Sequence, residues 1–162
     1  MWSCPLSFAP LRLWRIVTGP HPIWSGEGGR LFGQRWNPRG MPAIYTGTSF
    51  AVCLLEVLVH ANRKVAPSAA RYVEAVVPED VSRETFDPTL HVGWDDPLDT
   101  SVAQAFGKAW IQERRSAVLL VPSVVTGGRD GNAIINPDHP EAARIAVGPE
   151  TPVTLDPRLF GS

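Results

Sequence analysis

Residues 49–60, Ser-Phe-Ala-Val-Cys-Leu-Leu-Glu-Val-Leu-Val-His, set a single carboxylate inside an otherwise apolar run. At helical pitch the apolar side chains point almost all round, the pattern of a buried helix. Between Met41 and Asn62, Glu56 is the only formally charged residue. Burying a carboxylate costs roughly several kcal/mol unless it is paired or neutralised. A chain folded around this segment must therefore pair Glu56, hold it at a wet rim, or use it. Glu56 and His60 lie four residues apart and share one helical face. The spacing thus offers a carboxylate and an imidazole together, although a histidine so near a helix end also suits capping. Thr48 or Ser49 supplies an N-cap for a helix predicted over Phe50–Ala61.

Around this helix the pattern predicts a mixed α/β domain with one main sheet. Strands are expected at Leu11–Val17, Pro42–Thr46, Ala70–Val77, Ala117–Val121, Ala133–Asn136 and Arg144–Val147. A second helix is expected over Ser101–Glu113, capped by Thr100 or Ser101. Gly19–Gly40 and Pro78–Asp99 lack periodicity and read as long shaped loops, a kind that is usually functional when it is ordered. Residues 1–10 are expected to form a mobile N-terminal segment and 11–162 a single domain, in keeping with the length of 162 residues.

Charge balance narrows the function. Fifteen Lys and Arg against 16 Asp and Glu give a net charge of −1, which provides no broad cationic field for nucleic acid. Cys4 and Cys53 form no CxxC pair and have no histidine spacing suited to zinc, so no metal site and no disulfide framework are expected. The longest apolar stretch, Ala51–Val59, is too short to span a bilayer. The first ten residues do not have the pattern of a signal peptide, and a cytoplasmic location without membrane contact is the expectation.

Other candidate residues lie outside the helix. The segment Gly26-Glu-Gly-Gly-Arg-Leu-Phe-Gly-Gln-Arg-Trp-Asn-Pro-Arg-Gly40 carries Arg30, Arg35 and Arg39 among glycines. Glycines let backbone amides approach a ligand, and arginine forks match phosphate oxygens. Trp36 suits covering a planar ring or an arginine stem. Tyr45 suits stacking on an aromatic ligand, or a core position with a satisfied hydroxyl. Ser123 follows an apolar strand, and strand ends often line sites; no GxSxG elbow surrounds it, which argues against a hydrolase nucleophile. Asn132 sits in a turn sequence, and His139 in the rigid Asn136-Pro-Asp-His-Pro140.

Taken in order, these segments resemble the RES domain, the toxin half of RES–Xre toxin–antitoxin pairs. The matching pieces are Leu13-Trp-Arg15, Gly33-Gln-Arg-Trp-Asn37, Pro42-Ala-Ile-Tyr45, Leu54-Leu-Glu56 with His60, Val121-Pro-Ser123, and Asn132 through His139. The chain differs from the family pattern at Gln34, where a second glycine is often found. The resemblance implies a fold like that of diphtheria-toxin-type ADP-ribosyltransferases. It also implies consumption of NAD⁺ as substrate and a partner antitoxin of Xre type with a helix-turn-helix. It places the family's arginine at Arg15 or Arg35, its glutamate at Glu56 and its serine at Ser123. On this basis Glu56, Arg35, Ser123 and Tyr45 are the expected catalytic residues, and Arg15, Arg35, Trp36, Tyr45, His60, Ser123 and Asn132 the expected NAD⁺-binding residues. Protein ADP-ribosylation through the same pocket, a non-catalytic binding module and an RNase are the rival functions.

Overall fold

The computed structural model describes residues 9–60 and 70–160. Strands β1 (Leu11–Val17), β2 (Ile44–Gly47), β3 (Arg71–Val77), β4 (Arg83–Thr85), β5 (Val118–Pro122), β6 (Gly131–Ile135), β7 (Ala146–Val147) and β8 (Thr151–Pro152) form one sheet. Its order is β4-β5-β6-β2-β1-β3-β7, with β8 also on β3. Among the described strands β4 and β5 run parallel and the other pairs are antiparallel. Helices α1 (Glu27–Phe32), α2 (Phe50–His60) and α3 (Ser101–Glu113) flank the sheet.

The sheet separates two cores, which is why β5 is apolar at every position. Side chains alternate across a strand. Val118 and Leu120 therefore join Leu13, Ile44, Ala75, Val77, Ala133 and Ile135 on one face. Leu119 and Val121 join Trp36, Phe86, Trp110 and Ile134 on the other. Helix α3 covers this second face through Ala103, Trp110 and Ile111. A Cβ at Gly107 would lie 1.8 Å from the Trp36 carbonyl oxygen, so α3 rests directly on the backbone of the arginine-bearing loop.

The structure departs from the sequence pattern in several places. The α2 segment is not buried all round. Val52 and Cys53 are buried, but Leu55 and Val59 are 42% and 54% exposed. With Leu58 and Leu159 they line a shallow hollow of about 250 Å³. The apolar run therefore serves two surfaces, one packed on the sheet and one facing outward. Gly19–Gly40 is not loop throughout, because α1 forms within it despite Gly28 and Gly29. A Cβ at Gly29 would meet the Ala43 carbonyl oxygen at 2.7 Å, so packing rather than helix propensity selects glycine there. Pro78–Asp99 contains β4 and a 3-10 turn at Pro88–Leu90. Strand β6 begins at Gly131, two residues earlier than expected, which brings Asn132 into the ladder. The expected mobile segment and the last residue of the expected helix, Ala61, lie largely outside the described residues.

Candidate active site

Helix α2 follows β2 after only two residues, and Ser49 caps it by accepting from the Val52 amide at 3.2 Å. Its first turn lies against the end of β2, where a Cβ on Gly47 would come within 2.9 Å of the Cys53 amide nitrogen. This close seating aims the next turn, and hence Glu56, at the ends of β5 and β6.

There Glu56 Oε1 accepts two hydrogen bonds, from Ser123 Oγ at 2.8 Å and from Asn132 Nδ2 at 2.7 Å. Asn132 pairs with Gly47 on one side and Val121 on the other. Asn132 and Ser123 share the strand parity of Ile134 and Val121, and so project from the α3 face. Ser123 is fully buried and Glu56 half-buried. Among the described residues Glu56 makes no ion pair and its Oε2 takes no hydrogen bond. Among the described residues, no arginine fills the expected alternative of a structural partner. Asn132 Oδ1 is buried and, among the described residues, has no hydrogen-bond partner. Leaving such an acceptor unsatisfied costs about 1–3 kcal/mol.

Arg15 lies where β1 and β2 part, beyond their one register pair at Trp14 and Gly47. Its Nε donates to the Ile23 carbonyl at 2.6 Å and its Nη1 to the Tyr45 carbonyl at 2.7 Å. Burial works against its charge. Nearby Cys53 accepts from the Ile16 amide through Sγ at 3.2 Å, and burial pushes its thiol up to about 11.

The remaining expected residues spend some or all of their polar atoms on the scaffold. Tyr45 donates from its hydroxyl to Asn37 Oδ1 at 2.6 Å and accepts from the Trp36 amide at 3.0 Å; burial raises its phenol. Arg35 Nη1 donates to the Trp94 and Asp96 carbonyls at 2.9 and 3.0 Å. Trp36 is 4% exposed, edge-on to Phe86 at 4.7 Å and stacked with Trp94 at 6.1 Å. Its indole belongs to the core and not to a surface that covers a ligand ring. His60 points Nδ1 at the Glu56 carbonyl oxygen, 2.7 Å away, and is exposed; it closes the helix end instead of joining the carboxylate. His139 caps the Pro140–Arg144 turn by accepting from the Glu141 amide. The structure thus brings together Glu56, Ser123 and Asn132. Sequence reasoning gave no separate role to Asn37, which is fully buried and donates to the Gly29, Pro38 and Met41 carbonyls. Its position beside Trp36 in a glycine-rich turn was the available hint.

A family model described as the RES domain matches residues 12–156. The chain belongs to the RES domain family. This RES chain is 38% identical over 154 residues to a Sphingobium protein named Prs ADP-ribosylating toxin, covering 91% of this chain and 95% of that one. It is 33% identical over 152 residues to a Pseudomonas putida protein named Toxin Res, covering 91% and 99%. The solved Mycobacterium tuberculosis MbcT–MbcA toxin–antitoxin complex contains a chain that superimposes with a TM-score of 0.74 at 25% identity, over 94% of this chain and 87% of that one. MbcT of that organism, named NAD(+) phosphorylase, is 43% identical over 60 residues, covering 36% of this chain and 32% of MbcT. The RES chain is accordingly a mixed α/β domain of the ADP-ribosyltransferase-like kind, as its sequence led one to expect.

Proposed function

We propose that this protein is the toxin of a toxin–antitoxin pair and consumes NAD⁺ by cleaving the bond between nicotinamide and ribose. The observation that carries the reading is Glu56: a half-buried carboxylate held by two neutral donors, with no cation paired to it among the described residues. No partner cation among those residues competes there with a positively charged species. The transition state for loss of nicotinamide is of that kind, with oxocarbenium character on the ribose. A fixed carboxylate stabilises it better than mobile water does.

In the proposed reaction, Glu56 Oε2 accepts a hydrogen bond from a hydroxyl of the nicotinamide ribose. The glycosidic C–N bond breaks, and its electron pair leaves with neutral nicotinamide. An oxygen nucleophile then bonds to the anomeric carbon and loses its proton. Arg15 and Arg35 each use part of the guanidinium on backbone carbonyls. Their remaining N–H groups are assigned to the pyrophosphate, and the Tyr45 ring is assigned to the nicotinamide. Two relatives' names imply the same broken bond with different acceptors, phosphate for MbcT and a protein for the Sphingobium toxin. The second reading, protein ADP-ribosylation, is favoured by identity to the Sphingobium toxin along 91% of the chain. An antitoxin partner is proposed from the MbcT–MbcA match, and an Xre-like helix-turn-helix protein that obstructs access to Glu56 is its expected form.

The test is to incubate the purified protein with NAD⁺, with and without inorganic phosphate, and to identify the co-product of nicotinamide. Free ADP-ribose marks a hydrolase, phosphate-dependent release marks a phosphorylase, and label on protein marks a transferase. Absence of nicotinamide release in every condition, candidate protein acceptors included, contradicts the proposal.

A further inference from the structure

We propose that Asn132 is a positioning residue that, together with Ser123, fixes the Glu56 carboxylate so that Oε2 alone faces the reacting ribose. The inference rests on the NAD⁺-cleaving function proposed above and deepens it. Both donors converge on one oxygen, Oε1, at 2.7 and 2.8 Å. The terminal torsion of glutamate is broad, so a carboxylate held by one donor exchanges its oxygens readily. Two donors on Oε1, each from a different strand, remove that freedom. Asn132 is itself held by ladder partners on both sides, Gly47 and Val121. Its amide therefore works from a rigid base.

Two features mark this arrangement as more than packing. First, Asn132 leaves Oδ1 buried and, among the described residues, unpartnered while Nδ2 serves Glu56. An apolar side chain would occupy the site without that penalty, so a residue needed only to fill space has no reason to be asparagine. Second, both donors are neutral. An arginine here would hold Glu56 equally well but would offset the charge that the ribosyl cation needs. Serine and asparagine orient the carboxylate and leave its charge in place.

Steady-state nicotinamide release by wild type, Asn132→Leu and Asn132→Ala tests this, with folding of each variant checked by circular dichroism. Alanine removes the donor without placing a second charge beside Glu56, and it serves where leucine disturbs the strand. The expected result is a fall in kcat of about tenfold or more in each folded variant, with KM for NAD⁺ within roughly threefold of wild type. A kcat within about twofold of wild type in a folded variant, or a rise in KM with kcat unchanged, overturns the proposal. Absence of release by the wild type overturns the proposed function itself, and this inference with it. Wild-type turnover thus tells one failure from the other.

Discussion

The chemistry of this site is set by which side chains are spoken for. Glu56 holds its place through neutral donors, whereas Arg15 is bound to the scaffold through Ile23 and Tyr45. Arg15→Ala strands two carbonyls at the parting of β1 and β2. It is expected to lower unfolding stability by about 2–4 kcal/mol, as read from urea denaturation. Undiminished stability together with weaker NAD⁺ binding contradicts the anchoring role and leaves Arg15 as a ligand residue alone. The sequence singled out Glu56 because a lone charge in an apolar run is conspicuous. It also flagged Ser123 and Asn132, but their convergence on Oε1 depends on the β5–β6 register and on how α2 seats against Gly47. No local pattern encodes those tertiary facts.

At the scale of elements, two close backbone approaches place the site: α2 on Gly47, and α3 on the Trp36 backbone through Gly107. Gly107→Ala has to push α3 away from the loop that carries Arg35 and Trp36. A loss of roughly 2–4 kcal/mol is expected, or about 5–15 °C in Tm by thermal denaturation. An unchanged Tm would show that α3 does not rest on Trp36 as described. The periodic elements β1, β3, α2, α3 and β5 were legible in the sequence. Helix α1 was not, because Gly28 and Gly29 weaken helix propensity and tertiary packing supplies the stability instead. Strand β4 was missed because its three residues acquire meaning only beside β5. The apolar outer face of α2 was misread for the opposite reason, since periodicity cannot tell a buried apolar residue from an exposed one.

For the molecule as a whole, the sequence carried the fold class and the single sheet but not the strand order. That order depends on long-range pairings such as β2 with β6. The buried Cys53 thiol links the fold to alkaline pH. Burial pushes it up to about 11, so the folded chain keeps this proton at pH values where the unfolded chain has lost it. The stabilisation is present below the usual thiol range, about 8.5, and is lost as pH rises toward about 11. The urea midpoint should therefore fall between about pH 8.5 and 10.5, and less steeply in Cys53→Ala. Equal slopes in the two proteins would contradict this linkage.

The proposed function depends on Glu56 acting on the ribosyl cation more than on the bound substrate. The direct test is single-turnover nicotinamide release from NAD⁺ by wild type and Glu56→Gln, with NAD⁺ affinity measured in parallel. A rate loss of roughly a hundredfold or more is expected, with affinity changed by less than about fivefold. A folded Glu56→Gln protein that releases nicotinamide at nearly the wild-type rate would contradict it.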